Sequence, residues 1–216
     1  MKWTSPLLAL CFSSCQTPGT GPPPRVAKVV LVHGFLDTGN AFYPMCRRLE
    51  KRGFDCFPAT LKPSDGRGGL EKLAVGLKQE IEAKFGPKEK ISIVAFSMGG
   101  LVSRYYLQNL GGTKRCEQLI TISSPHNGTT AAWWYPSQGA KEMRPNSEFL
   151  TELKRTEPKL GDMKITSYRT PMDLVILPAE SSKWDRADNL TFPVLLHPLM
   201  LLSKPVMDDI EKRLVE

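Results

Sequence analysis

The chain has 216 residues, 41% of them hydrophobic and 24% charged, with a formal net charge of +7. That length suits one domain with a sizeable core, and the sequence shows no repeat and no internal apolar run long enough to span a bilayer. The basic residues are scattered over helical faces, as at Arg47, Arg48, Lys51, Arg52, Lys78 and Lys84, with no nucleic-acid-binding signature, so the charge reads as a solvated surface with weak attraction to anionic membranes.

The opening MKWTSPLLALCFSSCQTPGTGPPPR runs from one positive charge through a short apolar stretch into small residues, the order of a secretory signal peptide. Phe12-Ser13-Ser14-Cys15 resembles a bacterial lipobox, in which the cysteine becomes the lipidated first residue; Phe12 stands where Leu is usual. The expectation is an exported chain. Residues 1–15 form the leader with Cys15 as lipidation candidate, residues 16–26 a Pro/Gly-rich tether, and residues 27–216 the folded domain. A lipoprotein of a bacterial envelope follows, with a periplasmic or secreted protein as the alternative.

From Lys28 the pattern alternates. KVVLVH reads as a buried strand, Asn40 to Arg52 as an amphipathic helix stopped by Gly53, and FDCFPATL as a second strand. A helix from Leu70 to Phe85 carries Leu73, Leu77, Ile81 and Phe85 on one face. KISIVAF leads through Ser97 into a helix ending at Gly111-Gly112. EQLITISS and MKITSY read as further strands, LTFPVLL as the last, and Lys204 to Val215 as a closing helix. Strands separated by helices imply an α/β fold, a mostly parallel sheet of about six strands with helices on both faces. In such sheets reacting groups collect at the carboxyl ends of the strands.

Five cysteines are present, at Cys11, Cys15, Cys46, Cys56 and Cys116, without a C-x-x-C pair or a His-rich cluster that suggests a metal. Cys46, on its helix, and Cys56, on the returning strand, stand at similar height, which leaves open a disulfide or two separately buried thiols.

The stretch IVAFSMGGLV carries the first chemical signal. A nucleophile elbow lifts its serine on a strained strand-to-helix corner, so the residues two before and two after must be small. Ala95 and Gly99 meet that demand, Gly100 adds clearance, and Phe96 occupies a freer position. The chain has only three histidines, His33, His126 and His197, and each follows an expected strand. A base for Ser97 also needs an acid to fix its tautomer. Asp173 follows KITSY and precedes His197, while Asp162 precedes its strand and Asp185 and Asp188 fall in a polar loop. The order Ser97, Asp173, His197 matches that of an α/β-hydrolase.

On LVHGF, AFSMGGLVSRYY, SSPHNGT and TPMDLVILPAESSKW…LLHPLML, the chain from about Lys28 onward resembles the small bacterial lipase/esterase branch of the α/β-hydrolase superfamily. Many such lipases carry His where this chain has Phe96. The resemblance implies an α/β-hydrolase fold with a minimal lid and a serine hydrolase of carboxylic, lipid-like acyl esters, with acyl transfer or thioester or amide cleavage as alternatives and a silent binding protein as the outside reading. It implies an oxyanion hole at the backbone N–H groups of Phe35 and Met98, with Gly34 allowing close approach. Water is the expected second substrate, and no metal or redox cofactor is required. His33 and His126 read as loop organisers. TTAAWWYPSQGAKEMRPNSEFLTEL has most room to cover the site; Trp133, Trp134 and Tyr135 are adjacent, so at least one should be exposed, and Trp133 and Trp134 are the candidates for acyl-chain contact.

Overall fold

The computed structural model describes residues 26–215 together with Met1; the leader, Cys11, Cys15 and the tether up to residue 25 lie outside the described residues. Strands β1 (Lys28–Val32), β2 (Asp55–Ala59), β3 (Ile91–Phe96), β4 (Cys116–Ile122), β5 (Lys164–Arg169) and β6 (Asp188–Thr191) form one six-stranded sheet. Their order is β2-β1-β3-β4-β5-β6, and every neighbouring pair is parallel. Parallel strands need a crossover of a dozen or so residues between them; α-helices supply it as far as β5, and residues 170–187 cross to β6 with only a 3-10 turn, Ala179–Ser182.

The β-branched runs of β1 and β3 are buried on both faces because the side-chain period of two sends alternate residues into different cores. Val30, Val32, Ile93 and Ala95 pack in one core with α2 (Leu70–Phe85), α3 (Met98–Asn109) and α5 (Glu148–Thr156). Val29, Leu31, Val94 and Phe96 pack in the other with α1 (Tyr43–Glu50) and α6 (Lys204–Val215). Helix α4 (Gln138–Glu142) lies in the long connection after β4.

Three expectations are corrected. The helix expected from Asn40 to Arg52 begins as a 3-10 turn, Gly39–Phe42, and becomes α-helical at Tyr43. Pro44 sits in the first turn, where its missing N–H costs nothing; deeper in a helix it would clash with the preceding turn. The last strand ends at Thr191 rather than running through LTFPVLL. Pro193 cannot donate to a ladder, and Phe192 N–H makes the final bond, to Arg169 O at 2.9 Å. His197 therefore opens a 3-10 turn, His197–Leu201, instead of ending a strand, and Asp188 opens β6 instead of lying in a loop. The segment after His126 is not one covering loop. It folds into a 3-10 turn (Thr130–Trp134), α4 and α5, with Ser137 and Ser147 capping the two helices through their hydroxyls.

Cys46 and Cys56 are free, buried thiols. Burial pushes both above the usual thiol range; Cys46 raises Cys56 further, whereas Cys56 pulls Cys46 back down.

Candidate active site

The corner between β3 and α3 is the tightest place in the sheet. Ser97 has φ 53° and ψ −125°, a conformation an L-residue adopts only when its surroundings enforce it. Its N–H donates to Ile122 O at 2.8 Å, which ties the corner to β4. A Cβ at position 99 would stand 2.4 Å from Val32 O, and one at position 100 would stand 2.1 Å from Ser124 Oγ. Helix α3 can cross β1 and β4 this closely only because both positions are glycine.

The loop after β1 comes up beside the serine. A Cβ on Gly34 would lie 3.0 Å from Ser97 Cβ and 3.1 Å from the Phe96 ring. Leu36 N–H is bound to Ser64 O at 2.9 Å, whereas Phe35 N–H makes no backbone hydrogen bond among the described residues. Met98 is the first residue of α3, so its N–H has no partner within the helix and stands at the positive end of the dipole. Two donors thus flank Ser97 from two elements.

Asp173 and His197 meet across the loops that follow β5 and β6. His197 Nδ1 donates to Asp173 Oδ2 at 2.8 Å. The other carboxylate oxygen accepts the N–H groups of Val175 at 2.9 Å and Ile176 at 2.8 Å. Burial alone would raise the Asp173 carboxyl, but the His197 bond and the two backbone donors more than reverse that and hold it below its ordinary value. It is a fixed carboxylate. The His197 ring lies 4.6 Å from the Phe96 ring, one residue before Ser97. Phe96 is 4% exposed, so the position expected to be free is instead the floor beneath His197. With Nδ1 committed to Asp173, Nε2 is the nitrogen left for proton transfer.

The other acids stand elsewhere. Asp188 pairs with Arg213 at 2.6 Å, and Asp162 and Asp185 are exposed.

The remaining histidines use both ring nitrogens for structure. His33 Nδ1–H donates to Gly34 O at 2.9 Å while Nε2 accepts Leu61 N–H at 2.9 Å, joining the loops after β1 and β2. Burial lowers its pKa, partly offset by the Gly34 bond. His126 Nε2–H faces Thr121 Oγ1 at 3.0 Å, and Nδ1 faces Arg104 Nη1 at 3.4 Å. Both act as loop organisers.

Trp133 and Trp134 are exposed, and Tyr135 is half-buried with its ring 4.9 Å from Phe35. The Arg144 guanidinium stacks 4.2 Å above Trp133. Two contacts escaped the sequence reading: Phe96 under His197, and Tyr135 against Phe35. Only the aromatic character of both residues hinted at them. Among the described residues no cluster of three or more His, Cys, Asp or Glu side chains stands together as metal ligands would, and no helix is long and apolar enough to cross a membrane.

A family model for palmitoyl protein thioesterases matches residues 28–156. No curated protein matches the chain by sequence. Among solved structures, Bacillus licheniformis lipase BlEst2 in mature form superposes with a TM-score of 0.71 at 19% identity, over 90% of this chain and 96% of that one. Aspergillus fumigatus lipase B gives 0.76 at 15% identity, over 88% of this chain and 53% of that one. A pyrethroid hydrolase from Sphingobium faniae JZ-2 gives 0.60 at 13% identity, over 88% and 98%. These likenesses establish the α/β-hydrolase fold.

Proposed function

The chain belongs to the palmitoyl protein thioesterase family, and from that premise we propose that it hydrolyses carboxylic acyl esters through an acyl-enzyme on Ser97. His197 takes the Ser97 proton on Nε2 as Oγ attacks the acyl carbonyl, and Asp173 holds the ring by Nδ1 and stabilises the imidazolium. The N–H groups of Phe35 and Met98 receive the oxyanion. His197 then gives its proton to the leaving group, and a water deprotonated by the same ring releases the acid and restores Ser97.

One observation carries this reading. Phe96 links the strained Ser97 corner to the 2.8 Å Asp173–His197 pair, being bonded to the first and packed on the second. A second reading, cleavage of an acyl thioester by the same residues, is favoured by the family's own description. Trp133 and Trp134 are proposed as contacts for the acyl chain, because they are exposed at the edge of the sheet where the ester enters. The order of residues 1–15 supports export, and Cys15 is proposed to carry a lipid anchor.

Turnover of a p-nitrophenyl ester series and of a matched S-acyl thiol tests the activity. The parent is expected to cleave at least one series, and Ser97→Ala neither. Equal turnover by both proteins would overturn the proposal.

A further inference from the structure

The amino end of the sheet, opposite the Ser97 corner, holds a buried charge that the fold itself does not explain. Arg115 stands immediately before β4 and is only 5% exposed. Its carbonyl accepts Ile91 N–H at 3.0 Å, which ties the start of β4 to the start of β3. Its Nε–H donates to Glu89 O at 2.8 Å. Both Nη atoms are buried and meet no hydrogen-bond acceptor among the described residues. A guanidinium taken out of water is costly unless its N–H groups are matched.

Arg115 lines a cavity of about 430 Å³, a size that suits a small ligand. Lys78, Lys88 and Lys114 line it as well, against a single carboxylate among its described lining residues, Glu82. Glu82 stands 4.0 Å from Lys78, one turn along α2, which leaves Lys88, Lys114 and Arg115 without a counter-charge inside the cavity. One wall is Tyr106, whose ring packs so close over Gly112 that a Cβ there would lie 2.6 Å from it. Lysines beside a helix C-terminus ordinarily answer the helix dipole, and Lys84 does so in the last turn of α2. That accounts for a surface lysine. It does not account for a guanidinium drawn inside with two unmatched nitrogens.

From this we infer that the cavity at the amino ends of β3 and β4 is a binding site for a phosphate group, either free or carried by a small soluble molecule. The two Nη groups offer the fork that bonds an oxyanion bidentately, and Lys88 and Lys114 supply two further charge-assisted donors. Three uncompensated cations suit a phosphate monoester, which bears close to two negative charges at neutral pH, better than a carboxylate, which bears one. The six residues of β3 place the cavity about 20 Å from Ser97. Its occupant is therefore not the ester, and the site does not rest on the hydrolase reading.

The test is isothermal titration with inorganic phosphate and with glycerol 3-phosphate, at fixed ionic strength in potassium chloride. The parent is expected to bind one equivalent of at least one of them. Lys88→Gln with Lys114→Gln, both at exposed positions, should weaken that binding at least tenfold, since each charge-assisted contact is worth about a factor of ten. Lys51→Gln with Lys72→Gln removes the same charge from exposed positions outside the cavity and should bind like the parent. Arg115→Lys keeps the charge but loses the fork, and should also bind at least tenfold more weakly; if that variant fails to fold, the lysine pair still decides. Equal affinity for the two probes assigns the site to the free ion, and tighter binding of glycerol 3-phosphate assigns it to a phosphorylated small molecule; both support the site. No saturable binding of either probe, or equal weakening in the two lysine pairs, overturns it. Parental affinity in Lys88→Gln with Lys114→Gln places the phosphate elsewhere and overturns it as well.

Discussion

His197 and His126 are almost equally buried, at 6% and 5% exposed, and each sits in a loop following a strand of the same sheet. Their neighbours give them opposite properties. His197 faces the Asp173 carboxylate, which is fixed by two backbone donors and holds the ring by Nδ1. His126 faces Arg104, itself 3% exposed and paired with Glu157 at 3.3 Å. Burial holds Arg104 down at about 10, with Glu157 pulling it back up, so it stays charged at neutral pH. Burial and that guanidinium push the His126 pKa well below its ordinary 6.5. Beyond it, Thr121 Oγ1–H reaches Ser167 Oγ at 3.1 Å and Ser167 reaches Ser182 O at 2.7 Å. Position in the fold does not make a histidine a base. The sign of the charge beside it does.

The comparison breaks most readily at His197. His197→Ala should lower ester turnover by roughly 10⁶, the scale on which losing a triad base acts, while His126→Gln should change it by less than about tenfold because the amide keeps a donor and an acceptor. A large loss in His126→Gln with a folded protein would exchange the two roles. Next comes the carboxylate. Asp173→Asn should cost about 10⁴ by presenting the wrong tautomer of His197 to Ser97, and Asp185→Asn and Asp188→Asn should do little. A near-normal Asp173→Asn enzyme would remove the acid from the account.

Smaller effects sharpen the His126 side, whose loop runs on into Trp133 and Trp134. If those rings hold the acyl chain, medium-chain esters gain over acetate by up to about 0.8 kcal/mol for each methylene buried. Trp133→Ala and Trp134→Ala should then flatten the chain-length profile and spare the shortest ester. Unchanged profiles with lower thermal stability would return the rings to a packing role. The gentlest difference is in acid. His126 binds a proton more readily unfolded than folded, so its contribution to stability is complete above pH 6.5 and declines as pH falls below that value toward its folded pKa. Urea midpoints should drop below pH 6.5, and His126→Gln should make that drop shallower, leaving the smaller share of His33. A drop of unchanged size would remove His126 from the account of acid sensitivity.

Much of this was legible in the sequence because local pattern and fold agree. The β-branched run ending at Ala95 and the glycines at 99 and 100 can only be a buried strand meeting a helix at close range. The order Ser97, Asp173, His197 followed from placing each residue after its strand. The seat of His197 was misread, because LTFPVLL has strand composition throughout and only Pro193 signals that pairing stops. Helices α4 and α5 escaped because the aromatic run before them suggested a cover, while their cues are two capping serines. The contact between Phe96 and His197 spans a hundred residues of chain and has no local signature. Neither has the guanidinium that disarms His126, since Arg104 looks like one more basic residue on a helix until its burial is known.

The central claim is that Ser97 is the nucleophile, and covalent labelling with a fluorophosphonate followed by peptide mass mapping tests it most directly. The account predicts a single adduct on Ser97, formed far more slowly in His197→Ala, at the parental rate in His126→Gln and not at all in Ser97→Ala. An adduct on any other residue, or labelling that persists in Ser97→Ala, would contradict it.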